Sequence, residues 1–372
     1  MADWGNIPSE IASVIAEHLE KVEDFEAFAL VCSSWRRGAK ECKFGYEAKA
    51  WLMLARSKEG GPKQRRFYSL YNRKVRTVNL PLCYHMRLLS SHGWLLASAT
   101  DEYYNLFILN PMSGAKINLP KVTCLINTRE ILKFILSGNP SSSSDFTIAL
   151  VASAPYPYFQ GHGAICFWGH GCERWQTIFT DKRLDVTFYK GNFYGVNDYG
   201  NIWCYELDHS TGRPHQRLVA KLEPTGIFTR YLFPKDPRYL TGRLIECYLV
   251  ESENRLLLVI RVRPFHQTMF FKVYELNVYN GEAKHVPDLG DRAIFVGWNS
   301  SFSIKASSFA HGIKHNSIYF TGDYRIPGDS DAGIFTLADE NIHRFDDIVK
   351  PEHLYENCYA NAPYVWLQDP SL

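Results

Sequence analysis

From Val75 onward, the sequence consists of short apolar runs separated by turn-forming residues. Each run has the length of a strand and is rich in β-branched and aromatic residues, a composition typical of strands. Aromatic residues make up 15% of the whole chain, which favours the same fold class. We therefore predict a large all-β domain, with strands in the runs 94–97, 106–109, 147–151, 165–168, 185–189, 192–196, 202–205, 256–260, 270–274, 317–320 and 333–337.

A strand-to-turn motif recurs along this β-rich part. It first occurs at 109–114 as Leu-Asn-Pro-Met-Ser-Gly, and it returns at 207–212, at 276–281 and, more faintly, at 337–340. Repeats of about 40–50 residues with four strands each are the signature of β-propeller blades. The uneven spacing predicts an irregular propeller with unequal loops. A pair of packed sheets is the alternative fold, but it would not explain such a repeat.

The N-terminal part of the chain has a helical pattern instead. Ile7, Ile11, Val14, Ile15 and Leu19 fall on one stripe of a helix. A second apolar run at 25–32 predicts a second helix, and a serine at 33 or 34 can cap a third. Three such short helices bury little apolar surface by themselves. We therefore expect a partner to cover their open apolar face.

The same residues resemble the F-box, a small all-α domain of three helices. The similarity lies in Ile7-Pro8-x-x-Ile11-x-x-Val14-Ile15, where Ile7 replaces the usual Leu, and in Leu30-Val31-Cys32-x-x-Trp35-Arg36, the more specific half. The resemblance implies docking on a Skp1-type adaptor, and through it on the cullin and RING subunits of an SCF-type ubiquitin ligase. The residues it implies for Skp1 binding are Ile7, Pro8, Ile11, Val14, Ile15, Leu30, Val31 and Trp35.

The β-rich part resembles the KIB-type β-propeller domain of plant F-box proteins. The similarity lies in Ser-Ser-His-Gly-Trp-Leu at 90–95, the Leu-Asn-Pro turn at 109–111, 185–194, 248–252, 289–297 and 315–321, in the family's order. The Trp that the family carries before its Leu-Gly-Asp-Arg turn is not evident, and His285-Val286-Pro287 stands in that region. This departure concerns blade packing and leaves the resemblance intact.

The helical pattern persists through Trp51 and Leu54 and fails at Gly60-Gly61-Pro62, a strong breaker. We therefore divide the chain into F-box helices with a trailing helix (1–57), a basic linker (58–75) and the propeller (76–372). The basic run at 63–66 has two interpretations, a nuclear-import or phosphate-binding patch and a solvated linker. The short, interrupted run favours the linker.

Bulk properties exclude several classes of protein. A formal charge of +2 gives no electrostatic case for nucleic acid or acidic membranes. No apolar run approaches the roughly 20 residues that span a bilayer, and the N-terminus does not resemble a signal peptide. Nine Cys without a Cys-x-x-Cys pair indicate reduced thiols, so we expect the nucleus and/or the cytoplasm.

The only cluster that suggests a metal is His162, Cys166, His170 and Cys172. Zinc takes four such ligands, but this spacing matches no zinc finger or knuckle, so we interpret the segment as a plain hairpin. Motifs of hydrolases, metalloproteases, P-loop proteins and dinucleotide-binding proteins do not occur. We predict no cofactor, no metal and no catalytic residue.

Two aromatic segments lie in turn-rich or terminal sequence. Tyr156, Tyr158 and Phe159 are weak candidates for a target-binding surface, because aromatic residues anchor interfaces; an equal alternative is that their loop folds over a strand. For the tail at 363–367 we favour packing onto a blade, which would help to close the ring.

Together these observations predict a non-catalytic adaptor whose helices bind Skp1 and whose propeller binds an unknown target protein for ubiquitination. A ligand-binding or hydrolytic propeller is one alternative, and it would need polar groups that converge at the central channel. A scaffold that does not bind Skp1 is another. The Val31-Cys32-x-x-Trp35 core argues modestly against it.

Overall fold

The computed structural model divides the chain into two compact units, residues 1–48 with 371–372, and residues 49–370. The structure describes residues 4, 7–17, 22–41, 51–54, 64–70, 75–80, 83, 86–99, 106–111, 114–122, 131–153, 163–180, 184–197, 199–207, 214–222, 245–263, 267–297, 301–308, 312–322, 331–345 and 365–367.

The first unit contains the three helices that the sequence predicts. They are α1 (Ser9–Glu17), α2 (Val22–Val31) and α3 (Ser33–Glu41). At the start of α1, the carbonyl of Pro8 accepts from the amides of Ile11 and Ala12 at 3.1 and 3.0 Å. The Ser34 hydroxyl does not cap α3; it donates to the carbonyl of Ile7 and so ties α3 to the start of α1.

Small residues let α1 and α3 approach each other closely. Among the described residues, the core of the unit consists of four buried apolar residues, Ala12, Ala16, Phe28 and Ala39. At Gly38, a Cβ atom would collide with Ala12 and would lie 2.7 Å from the amide nitrogen of Ser13. The unit therefore depends on close backbone contact rather than on large side chains.

The second unit is all-β, as predicted. Its strands are β1 (Trp51–Met53), β2 (Gln64–Ser69), β3 (Val75–Asn79), β4 (Met86–Ser91), β5 (Trp94–Ala99), β6 (Leu106–Leu109), β7 (Lys116–Asn118), β8 (Ile131–Leu136), β9 (Thr147–Ser153), β10 (Gly163–Gly169), β11 (Gln176–Thr180), β12 (Leu184–Tyr189), β13 (Asn192–Asn197), β14 (Asn201–Leu207), β15 (Pro214–Lys221), β16 (Ile245–Ser252), β17 (Arg255–Val262), β18 (Phe270–Leu276), β19 (Ala283–His285), β20 (Arg292–Val296), β21 (Phe302–Lys305), β22 (Ser317–Phe320), β23 (Gly333–Thr336), β24 (Asn341–Arg344) and β25 (Val365–Leu367).

Within the described residues these strands form six sheets, which we number as blades 1 to 6 of a β-propeller. Blade 1 has the order β25-β1-β2-β3, and blades 2 to 5 each take four successive strands from β4 to β19. Blade 6 has the order β21-β20-β22-β23-β24. All pairings are antiparallel except that of β20 with β22. The strands β25, β4, β8, β12, β16 and β21 are successive neighbours between blades and form the inner ring.

The tail closes this ring, as predicted. Strand β25 pairs with β1, so the end of the chain completes its first blade. Trp366 is 1% exposed, and its indole nitrogen donates to the carbonyl of Val296 in blade 6 at 3.2 Å. The hydroxyl of Ser90 in blade 2 donates to the carbonyl of Trp366. One residue of the tail thus connects blades 6, 1 and 2.

Blade packing explains why the strands are apolar without interruption. In β17, Leu256, Leu258 and Ile260 pack in the cluster shared with blade 4. Leu257 and Val259 point to the opposite side and pack in the cluster shared with blade 6. Because side chains alternate between the faces of a strand, a strand covered on both faces needs apolar residues at every position.

The recurring turn motif is also confirmed. The amide of Asn110 donates to the carbonyl of Ala115, and that of Gly114 donates to the carbonyl of Asn110, both at 2.9 Å. Asn277 and Gly281 make the same two bonds in blade 5, at 2.8 Å. Both glycines have φ near +74°, at 73° and 75°, where a Cβ atom is disfavoured. Most of the copy at 207–212 lies outside the described residues.

The boundary between the units differs from the predicted one. The predicted trailing helix contains β1, whose residues pair with Ser69, Tyr68 and Phe67 of β2. The predicted linker at 58–75 contains β2 itself, and Phe67 is buried there. The propeller therefore includes residues that the helical pattern and the basic run assigned elsewhere, because a three-residue strand carries no periodicity of its own.

Candidate protein-docking surfaces

Four of the predicted Skp1-binding residues are large apolar side chains that the helical unit leaves open. Ile11 and Val14 of α1 and Leu30 and Val31 of α2 are each more than half exposed, from 52% for Ile11 to 74% for Leu30. Ile11 and Val14 are three residues apart and share one side of α1. Exposed large apolar side chains concentrated on so small a unit indicate a protein-binding surface. We call these four residues the open apolar face.

The end of α2 is held in place by polar contacts. The amide of Arg36 donates to the carbonyl of Cys32 at 2.9 Å, which begins α3 directly after α2. The Arg36 guanidinium donates through Nε to the carbonyl of Ala29 at 3.3 Å. A cation at a helix C-terminus also complements the helix dipole. These contacts fix the backbone that carries Leu30 and Val31.

The other predicted residues have a different position. Ile7, Ile15 and Trp35 are partly buried and pack against the small core, while Pro8 is exposed. The Trp35 ring lies 4.4 Å from that of Phe28, centroid to centroid, and its indole nitrogen donates to the carbonyl of Trp4 at 2.7 Å. Ile7, Ile15 and Trp35 thus stabilise the unit, and their direct part in binding stays a prediction.

In the propeller, a buried ion pair joins three neighbouring blades. Lys133 of β8 pairs with Asp185 of β12, and Asp185 accepts from the amide of Leu249 of β16 at 2.7 Å. Burial raises the pKa of Asp185, although Lys133 opposes that shift. The ammonium of Lys133 also lies 5.5 Å from the ring centroid of Tyr248. These contacts hold inner strands together.

A second buried cluster joins blades 5 and 6. The Arg261 guanidinium donates to Asp331 at 2.8 Å and to Glu246 at 3.3 Å. Arg263 donates to Glu246 at 3.2 Å, and Asp331 also accepts from the Thr268 amide at 2.7 Å. Sequence reasoning missed these residues and the pair above. Their signal is a single charged residue inside an apolar run, as in Ile131-Leu132-Lys133-Phe134.

Neither cluster has the chemistry of a hydrolytic centre. The carboxylates of Asp185, Glu246 and Asp331 each face a Lys or Arg at hydrogen-bonding or ion-pair distance. Burial also raises the pKa of the Tyr248 hydroxyl, which donates to Glu246 at 2.8 Å. These arrangements neutralise charge between blades, so they favour a structural function over a nucleophile or general base.

The histidine and cysteine residues of the candidate zinc cluster are not brought together. Cys166 is buried in β10 and accepts from the Thr177 hydroxyl at 3.6 Å. His170 stacks on Phe146 with centroids 5.0 Å apart, and Cys172 is exposed in the β10–β11 turn. His162 lies outside the described residues. Among those that are described, no group of three or more His, Cys, Asp or Glu could hold a metal ion.

The weak target-binding candidates Tyr156, Tyr158 and Phe159 lie outside the described residues, so their function stays a prediction. Among the described residues, no helix is both long and apolar enough to cross a membrane.

Three N-terminal helices with an open apolar face, followed by a β-propeller, define a class of proteins with two different units. Residues 67–340 match the KIB1-4 beta-propeller family, and the chain belongs to that family. Its architecture is that of a plant F-box protein with a KIB-type propeller.

Three relatives from Arabidopsis thaliana carry F-box in their names. One, At3g25750, is 25% identical, with 96% of this chain and 99% of the relative covered. The F-box/kelch-repeat protein At3g18720 is 25% identical over 69% of this chain and 67% of its own length. F-box protein At2g17690 is 23% identical, with 92% and 96% covered. These relatives indicate a receptor or adaptor rather than a catalyst.

Proposed function

We propose that this protein is the substrate-recognition subunit of an SCF-type ubiquitin ligase. The open apolar face binds a Skp1-type adaptor, which links the chain to the cullin and RING subunits. The propeller binds a target protein. Ubiquitin transfer itself belongs to the partners, and this chain raises the effective concentration of the target near them. The proposal places the protein in the nucleus and/or the cytoplasm.

The observation that carries this proposal is the exposure of Ile11, Val14, Leu30 and Val31 on a unit whose described core consists of three alanines and Phe28. Each such side chain gains about 1.5–3 kcal/mol on full burial relative to full exposure. Because the four are 52–74% exposed, a partner that covers them would gain roughly half to three quarters of that amount for each side chain.

The two alternatives receive less support. A ligand-binding or hydrolytic propeller would need polar groups that converge on a ligand, whereas the buried carboxylates described above face protein cations. If the protein is a scaffold that does not bind Skp1, the exposure of the open apolar face has no explanation.

The test is co-purification of the full chain with Skp1, compared with the variants Ile11→Asp and Val31→Asp. Both residues are exposed, so the charge should abolish binding without unfolding the helices. Phe179→Asp is the matched control, because Phe179 is a 54% exposed apolar side chain in the propeller. We expect it to bind Skp1 like the wild type. A folded wild-type chain that does not bind Skp1, or Asp variants that bind normally, would contradict the proposal.

A further inference from the structure

Two rigid turns lie side by side where blades 4 and 5 meet. The β12–β13 turn is Lys190-Gly191, with φ values of 45° and 84°, which is the two-residue hairpin turn that matches strand twist. The turn between β18 and β19 carries Tyr279. Because blade strands alternate in direction, the first and third hairpin turns of every blade lie on the same face of the propeller. Both turns therefore open onto one face.

Tyr279 projects from a turn that is braced by hydrogen bonds. Its amide donates to the Asn277 side chain at 3.0 Å, and the amide of Gly281 donates to the carbonyl of Asn277 at 2.8 Å. The Asn280 side chain donates to the carboxylate of Glu282 at 2.8 Å. Tyr279 is nevertheless 86% exposed. A rigid, exposed tyrosine loses little conformational entropy on binding, which is typical of interface anchors.

Two cations lie around this tyrosine. Arg217 of β15 lies directly opposite Cys204 of β14, and Cys204 lies directly opposite Tyr194 of β13. The side chains of all three are therefore on the side of blade 4 that faces blade 5. Tyr279 and Arg217 both act electrostatically on the Tyr194 hydroxyl, whose pKa burial raises. The backbone of β15 contacts the Tyr279 turn, since a Cβ atom on Gly281 would lie 2.7 Å from the carbonyl of Val219.

The neighbours of Lys190 that the structure describes are neutral. Among the described residues, no carboxylate forms an ion pair with it, and its neighbours are the rings of Tyr189 and Tyr279. The hydrogen bond to Tyr189 raises the pKa of Lys190, so it carries its full charge at neutral pH. Arg217 has one exposed partner, Glu206, at 3.7 Å, a pairing of little energetic weight. Glu206 offsets Arg217, and Glu282 lies in the Tyr279 turn, so the charge without a described carboxylate partner is that of Lys190, beside an exposed aromatic ring.

We propose that the surface formed by Lys190 and Tyr279 binds an acidic segment of the target protein. A Glu or Asp carboxylate of that segment accepts a hydrogen bond from Lys190, and an adjacent apolar side chain packs on the Tyr279 ring. This inference rests on the proposed function in one respect: it takes the acidic segment to belong to the target protein. The charge complementarity and the rigid turns support it by themselves.

The experiment measures binding of the full chain to the fluorescent peptide Glu-Glu-Leu-Glu-Glu-Leu by anisotropy at low salt. The same peptide with Gln in place of every Glu is its uncharged counterpart. We expect Lys190→Gln and Tyr279→Ala each to weaken binding about 5–10-fold, the effect of a moderately important interface residue. Lys190→Arg should retain most of the affinity. Added salt should weaken binding, because exposed charges are screened.

Lys116→Gln is the matched control, because Lys116 is also an exposed lysine over an aromatic ring, 4.3 Å from the centroid of Phe107 in blade 2. Equal effects of Lys116→Gln and Lys190→Gln, tight binding of the Gln peptide, or no saturable binding to the wild type would each overturn the proposal. The same variants should co-purify with Skp1 unchanged. Loss of Skp1 binding in the wild type, with peptide binding intact, would refute the receptor function and leave this surface standing.

Discussion

The helical unit and the propeller differ in which side chains they bury and which they leave exposed. The helices leave Ile11, Val14, Leu30 and Val31 open and bury mainly alanines around Phe28. The propeller covers both faces of its central strands and buries even charged groups such as Arg261, which is 1% exposed. The first unit thus leaves part of its apolar surface open. The described strands of the second unit cover one another, and its most exposed large side chain, Tyr279, lies in a turn.

Trp366 offers the largest expected effect, because the propeller is complete only if its last strand is in place. Trp366→Ala should lower the free energy of unfolding by about 3–5 kcal/mol, the usual cost of removing a buried tryptophan. Denaturant unfolding followed by near-UV circular dichroism measures it. Skp1 binding should persist, since that surface belongs to the other unit. A loss below about 1 kcal/mol would show that β25 does not close the ring.

The second prediction concerns Asp331, whose carboxylate lies in the buried ion-pair cluster between blades 5 and 6. Among the described residues, Asp331→Ala leaves Glu246 as the remaining ion-pair partner of Arg261 and Arg263, and it also removes the carboxylate that pairs with Arg344. Breaking a buried ion pair in this way costs about 3–5 kcal/mol at most, and water that enters here could reduce that cost. Denaturant unfolding of the full chain measures it.

The surface pair of Lys272 and Glu340 is the control for Asp331, with its nitrogen and oxygen 2.7 Å apart. Glu340→Gln should change stability by less than about 1 kcal/mol. Equal losses from the buried and the exposed change would contradict the view that charges between blades are a structural requirement.

The next prediction concerns Gly38, which lies in α3 of the helical unit. Gly38→Ala would normally favour a helix by about 1 kcal/mol, but here the added methyl group collides with Ala12. We expect a net loss of about 1–3 kcal/mol, the range for overpacking, and faster hydrogen exchange in α1 and α3 alone. Gly138→Ala in the propeller is the control, since nothing lies within 4 Å of its new Cβ atom. Unchanged exchange in Gly38→Ala would show that the helices adjust freely.

Local sequence pattern accounts for much of this fold. Strands such as β17 can be predicted because consecutive residues, such as Leu256 and Leu257, face two different apolar clusters. Residues on both faces of the strand are therefore apolar, and the sequence shows a continuous apolar run. The helices are predicted from one stripe, but the stripe does not distinguish Ile11, which is open, from Ile15, which packs inward. A stripe gives one side of a helix, and only the neighbouring helices decide how much of that side they cover.

Features made by distant parts of the chain escape such reasoning. Strand β1 consists of Trp51–Met53, and only its partners β2 and β25 make it a strand. The pairing of Lys133 with Asp185 depends on the order of the blades around the ring. The surface of Lys190 and Tyr279 combines a turn of blade 4 with a turn of blade 5. None of these has a local signal beyond a charge or a ring in an unusual place.

The last prediction compares the reactivity of one cysteine thiol in each unit, and it requires no substitution. Cys32 is half-buried between α2 and α3, whereas Cys83 is buried in the propeller. Burial raises the pKa of Cys83 to about 11, although Arg65 and Lys116 oppose it, so at pH 8 only about one molecule in a thousand carries the reactive thiolate. Iodoacetamide should therefore label Cys32 well before Cys83, as read by peptide mass spectrometry. Saturating Skp1 should slow labelling of Cys32, next to Val31, and leave Cys83 unchanged. Equal labelling rates would remove the distinction between an open unit and a closed one.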